Sequence, residues 1–158
     1  MRKNIYFFIQ CMIITILVSC APLEQNKQKY INWRPLAAGK IEAQQKGMPI
    51  LVDFYFGAGC HRCMALDNEV YNNSQIVELI NRDFVPVRID LSRELTKEEK
   101  MLEDDFATGG ECLLGFLDPQ GRMIKNQLGK NLCTMGMISR GEFMTYLQNA
   151  KKRIGLSN

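Results

Sequence analysis

The sequence has no excess of charge of either sign. Twenty lysines and arginines face 17 acidic residues, a formal net charge of +3. Arg2 and Lys3 belong to a basic start, and without them the balance is closer still. Such a chain gives no reason to expect a nucleic-acid partner. It also has no visible internal repeat, so nothing points to a repeat architecture. There is a single histidine, His61, and it stands between two cysteines. Long apolar runs are scarce. The main one, Ile5 to Val18, is broken only by Gln10 and Thr15 and is too short to span a membrane comfortably. What remains is a globular composition of 46% hydrophobic and 23% charged residues, in a length that suits one domain.

The apolar run has the length of a secretory signal core, and Arg2 and Lys3 precede it. It ends in Leu17-Val18-Ser19-Cys20, which matches the bacterial lipobox, where the cysteine thiol is acylated and becomes the new N-terminus. The expected organisation is a signal peptide over 1–19, a lipidated N-terminus and polar tether over 20–32, and a folded domain over 33–158. The other reading is an uncleaved N-terminal anchor. Either one exports the domain and ties it to a membrane, on the periplasmic side of a bacterial envelope. Ala21 and Pro22 follow Cys20, so the aspartate that often retains lipoproteins at the inner membrane is absent; this favours the outer membrane.

Six cysteines are present. Cys11 leaves with the signal and Cys20 carries the lipid. Cys60, Cys63, Cys112 and Cys133 remain, in a compartment that permits disulfides. Their pairing is open among three alternatives.

Periodicity outlines the domain. Leu36, Ala37, Ile41 and Ala43 predict a helix that stops at Lys46-Gly47. Ile50 to Phe56 reads as a buried strand, which Gly57-Ala58-Gly59 breaks. A helix is expected from Cys60, with Cys63, Leu66 and Val70 on one face. Another follows with Ser74 as N-cap and Ile76, Val77 and Ile80 inward. Phe84 to Asp90 is a second strand. Thr96 and Glu99 form a capping box for a helix through Met101, Leu102 and Phe106, ending near Gly109-Gly110. Leu113 to Leu117, a turn at Asp118-Pro119-Gln120-Gly121, and Arg122 to Leu128 predict a hairpin. Gly129 to Ser139 reads as a loop, and Arg140 to Ile154 as an amphipathic helix. Its basic end, Lys151-Lys152-Arg153, suits a solvated helix terminus. The order predicts an α/β fold: a mixed central sheet of about four to five strands, with helices on both faces.

The C-x-x-C of Cys60 and Cys63 has a mechanism in this setting. A cysteine at a helix N-terminus meets unpaired N–H groups, which favour its thiolate. Cys60 is the candidate nucleophile, and Cys63, one turn inside, the resolving thiol. Arg62 and His61 add positive charge that would lower the Cys60 pKa further. A structural bridge or half of a zinc site is the competing reading of the same spacing.

With these residues in place, the chain resembles the thioredoxin superfamily, most closely the thioredoxin-like lipoproteins and the C-terminal domain of the thiol:disulfide interchange protein DsbD. The residues that carry the likeness are Trp33, the helix ending at Lys46-Gly47, "PILVDFYFGAGCHRCM", "FVPVRIDL", "FLDPQGR" and Leu128-Gly129. The resemblance implies a thioredoxin fold and an enzyme of dithiol–disulfide exchange. Its partners would be protein thiols and disulfides and a redox partner. It implies no cofactor beyond the redox-active disulfide.

Four positions depart from the pattern. Gly59 stands where a tryptophan usually precedes the first cysteine. Asp53 resembles the buried acid that helps deprotonate the resolving thiol, but its spacing to Cys60 is one residue longer. Glu111-Cys112 occupies the usual cis-proline position, so a third thiol would face the pair. The loop after Gly129 is longer and carries Cys133, which suggests a second disulfide, Cys112–Cys133. The alternative function is a carrier that binds copper or zinc through Cys60, Cys63 and Cys112.

Overall fold

β1 (Ile50–Tyr55) forms where the apolar, β-branched run predicts it, at the centre of the sheet. The structure, a computed structural model, describes residues 29–107, 113–134 and 139–155. The expected signal peptide and Cys20 therefore lie outside the described residues, as do Gly109-Gly110, Glu111 and Cys112. Among the described residues no helix is long and apolar enough to cross a membrane.

The elements run α1 (Leu36–Lys46), β1, α2 (His61–Leu66) with a π-helical turn (Asp67–Tyr71), α3 (Ser74–Asp83), β2 (Val85–Asp90), α4 (Lys97–Ala107), β3 (Leu114–Leu117), β4 (Cys133–Thr134) and α5 (Arg140–Arg153). The sheet is mixed, in the order β2-β1-β3-β4. β1 pairs parallel with β2, from Ile50 opposite Val85 to Tyr55 opposite Asp90. It pairs antiparallel with β3, Ile50 opposite Leu117. The predicted α/β architecture is present.

Strand alternation divides the core in two. Ile50, Val52 and Phe54 pack on one face with Val85, Val87 and Ile89, against Leu36 and Ala43 of α1 and Phe106 of α4. Leu51 turns to the other face and meets Ile76, Val77 and Ile80 of α3 and Phe143, Tyr146, Leu147 and Ala150 of α5. By the same alternation Asp53 lies on this second face.

Local chemistry fixes the ends. Gly47, at φ 64°, closes α1 in the left-handed conformation that glycine adopts without cost. Thr96 and Glu99 make the expected capping box at α4. Ser139 and Glu142 make a second one at α5, which the sequence reading did not foresee. Ser74 is not the N-cap of α3. Asn73 is, because its side-chain oxygen reaches the N–H groups of both Gln75 and Ile76.

Three further expectations need correction. Ile41 and Met101 lie on the outer faces of their helices and are exposed. The helix from Cys60 ends its α-helical part at Leu66 and continues as the π turn. The returning strand over 122–128 is reduced to isolated bridges, Met123 with Leu117 and Lys125 with Asn131, and the Ile124 N–H donating to the Phe116 carbonyl. Asn126 is the reason. Its side chain accepts from the N–H groups of Leu128 and Lys130, and Gly129 takes φ 74°, so the chain turns back early. The strand that completes the sheet is then β4, inside the expected loop, with Cys133 opposite Gly115.

Gly115 leaves room for the Phe106 ring. A methyl group there would lie 2.2 Å from Phe106 Cε1. Gly115→Ala is expected to destabilise the domain by about 1–3 kcal/mol in urea denaturation. Phe106→Leu in the same chain should recover part of that loss; a purely additive double variant would rule out the steric cause.

Candidate redox site

β1 delivers the C-x-x-C. The strand ends at Tyr55, and Gly57, at φ 82°, turns the chain over Ser92. Ala58 and Gly59 form a turn closed by the Cys60 N–H donating to the Gly57 carbonyl. This turn takes up the extra residue between Asp53 and Cys60. A side chain at Gly59 would meet open space, with no atom within 4 Å of its first carbon.

Cys60 is the N-cap residue of α2. Its sulfur accepts a hydrogen bond from the Cys63 N–H at 3.1 Å. Cys60 and Cys63 are joined in a disulfide with Cα atoms 5.2 Å apart. Cys60 is half-buried, whereas Cys63 is buried. The first sulfur is thus the accessible one, and it already receives an N–H that would stabilise a thiolate. His61 is exposed and Arg62 half-buried. Phe56 and Met64 are exposed on either side of the pair in sequence.

Beneath the α2 face lies an ionic cluster. Asp53 is 4% exposed. Arg88, its register partner on β2, donates to it through Nε at 2.8 Å and through an NH2 group at 2.7 Å. The same guanidinium donates to Asp67 at 2.9 Å. Asp67 begins the π turn, and its N–H donates to the carbonyls of Cys63 and Met64. Contacts through Asp67 and Arg88 therefore link the backbone of Cys63 to the buried carboxylate. Three rings surround the cation, Trp33 at 4.4 Å, Tyr55 at 4.8 Å and Tyr71 at 5.7 Å. The Tyr71 hydroxyl is buried without a hydrogen-bond partner among the described residues. Burial raises its pKa well above that of an ordinary phenol, and the Asp53 charge adds to the effect.

Burial also raises the Asp53 pKa, from 3.8 to about 6, against the opposing pull of Arg88. The acid that the sequence singled out is thus buried, on the side where α2 packs. Arg88, Asp67 and Tyr71 were not singled out. The signal was present for Arg88: a lone cation inside the apolar strand "VPVRID" needs a buried partner.

Cys133 is half-buried in β4 and engaged in a disulfide. Glu111 and Cys112, the expected third-thiol position, lie outside the described residues. In the disulfide form neither Cys60 nor Cys63 offers a thiolate to a metal.

Asp53 has a consequence for stability. A carboxyl with a higher pKa folded than unfolded holds its proton more tightly in the native state. Its contribution is therefore favourable at low pH and is lost as pH rises from about 4 to about 6. The loss is on the order of 3 kcal/mol, the equivalent of moving a pKa from 3.8 to about 6. Urea midpoints against pH should show the wild type losing ground to Asp53→Asn across that window. A constant difference between the two would contradict it.

Comparison with known proteins agrees with this geometry. The chain is similar to a structure titled DsbH oxidoreductase, at 20% identity, over 81% of this chain and 87% of that one, with a TM-score of 0.56. It is similar to a thioredoxin from Thermus thermophilus, at 21% identity, over 75% and 85%, TM-score 0.55. A putative disulphide-isomerase from Bacteroides thetaiotaomicron matches at 17% identity, over 82% and 98%, TM-score 0.56. These likenesses establish a thioredoxin-like fold. The family model Thioredox_DsbH, described as a protein of unknown function (DUF255), matches residues 17–121. With most of its length under that match, the chain belongs to the Thioredox_DsbH family.

Proposed function

We propose that this protein is an exported, membrane-anchored thiol–disulfide oxidoreductase that exchanges its Cys60–Cys63 dithiol with protein disulfides. One observation carries the reading: Cys60 caps a helix with its sulfur on the Cys63 N–H, while Cys63 lies buried behind it. The family match and the lipobox at Leu17–Cys20 support the redox role and the anchoring respectively.

In the reducing direction the Cys60 thiolate attacks one sulfur of a client disulfide. A bond forms between Cys60 and that sulfur, the client S–S bond breaks, and the departing thiolate takes a proton from water. Cys63 then loses its proton and attacks the Cys60 sulfur, releasing the second client sulfur as a thiol. The client gains two electrons and two protons, and the protein ends as the disulfide. Asp53, buried and linked through Arg88 and Asp67 to the Cys63 backbone, is the group proposed to receive the Cys63 proton, and burial raises its pKa toward neutrality. Run backwards, the same steps oxidise a client dithiol. The resemblance to the C-terminal domain of DsbD favours the reducing direction.

We further assign Cys112 as the partner of Cys133. Cys133 is in a disulfide, and the Leu113 N–H donates to the Thr134 carbonyl at 3.0 Å, which ties the residue after Cys112 to β4. That bridge would fasten the edge strand β4, which carries Cys133, to the segment that leads into β3.

The purified protein should reduce insulin with dithiothreitol as the electron source, and Cys60→Ser should abolish this reduction. Cys63→Ser should instead trap clients as mixed disulfides that reductant releases. Insulin reduction unchanged in Cys60→Ser would end the redox reading. Non-reducing peptide mapping of the oxidised protein should recover Cys112 linked to Cys133; a free Cys112 would refute the pairing.

A further inference from the structure

The strand register sets two poles. β1 and β2 run parallel, so Ile50 and Val85 mark one end of the sheet and Tyr55 and Asp90 the other. The dithiol follows Tyr55 and belongs to the second end. At roughly 3.3 Å per residue, the six residues of β1 alone separate the ends by about 17–20 Å.

The N-terminal segment joins the domain at the first end. Asn81, near the end of α3, accepts from the Asn32 N–H and donates to the Tyr30 carbonyl. The chain then continues to Arg34, which bridges to Val87 alongside β2. The basic end of α5 lies at this pole as well. Lys151 pairs with Asp83, the last residue of α3, at 2.9 Å. Arg82 pairs with the same carboxylate, so its charge is more than balanced. Lys152 and Arg153 follow, exposed, and among the described residues no acidic side chain pairs with either. They line a cleft of about 660 Å³ with Asn126, Gln127, Leu128 and Leu132. Leu128 is 80% exposed, and Tyr30 is 68% exposed with the Lys29 ammonium over its ring.

Cations beside a protruding leucine and an exposed tyrosine are the chemistry of a surface that rests on lipid headgroups. In sequence, only eight residues, 21–28, separate Cys20 from this pole, and the apolar segment 5–18 precedes Cys20. We infer that the pole formed by Lys29-Tyr30, Leu128 and Lys152-Arg153 docks on an anionic phospholipid surface. The docked domain would hold the Cys60–Cys63 end away from the bilayer. The inference rests on the anchoring part of the proposed function and not on its redox part. Each basic residue near an anionic leaflet favours the docked state by about fivefold.

Hydrogen exchange on the full chain tests it. The chain is bound to vesicles of phosphatidylcholine alone, or with a minority of phosphatidylglycerol. Exchange over Lys29–Asn32, Gln127–Lys130 and Asn149–Gly155 should slow several-fold only with phosphatidylglycerol. Lys152→Glu combined with Arg153→Glu should abolish that slowing and leave insulin reduction unchanged. Equal exchange on both vesicles would overturn the docking while leaving the anchor intact. Slowing that survives the charge reversal would point to another partner and overturn it too. A chain that fails to float with either vesicle would overturn the anchor and the docking together, with the redox reading judged separately by insulin reduction.

Discussion

The Arg88 guanidinium is the hub of the site. A half-buried cation is costly unless its charge and its donors are met, and here they are met from several segments at once. Asp53 comes from β1, Asp67 from the start of the π turn, Trp33 from the N-terminal segment, Tyr55 from the end of β1 and Tyr71 from the end of the π turn. Removing the guanidinium would take away the one influence holding the Asp53 pKa down, so the buried carboxyl would be driven toward its protonated form and lose its partner in the core. Removing either carboxylate would loosen the link between the sheet and the helix that carries the cysteines. The position of Cys63 is therefore coupled to an electrostatic arrangement one layer below it.

That coupling explains why the fold needs both faces of the sheet. The face of Ile50, Val52 and Phe54 is wholly apolar and anchors the strand between α1 and α4. The opposite face carries the apolar contacts of α3 and α5 and, next to them, the one buried acid of β1. The first face supplies rigidity without polar groups. The second can then tolerate an ionic cluster, because the strand cannot shift to relieve it.

Much of this was legible in the sequence. The run "ILVDFYF" announced a central strand by composition, and the glycines after it announced the turn before Cys60. The capping box of Thr96 and Glu99 and the inward face of α5 were readable by spacing alone. The hairpin turn at Asp118–Gly121 was readable, but the early end of its returning strand was not, because that is set by one side chain, Asn126, folding onto its own backbone. Ile41 and Met101 misled because hydropathy alone does not say which side of a helix faces the sheet. Arg88 was hidden for a different reason. Its partners lie 35 and 21 residues away along the chain, and only the parallel register brings them together.

Gly59 gives the site its approach. No side chain rises from it, and the space where one would stand is open. The half-buried sulfur of Cys60 can thus be reached from the turn side as well as over the helix. Under the proposed function, a client would meet no bulky neighbour on that side, so shallow disulfides of folded proteins would be as reachable as those of extended chains. Any selection among such clients would then fall to the exposed Phe56 and Met64, and their breadth would be a property of a missing side chain.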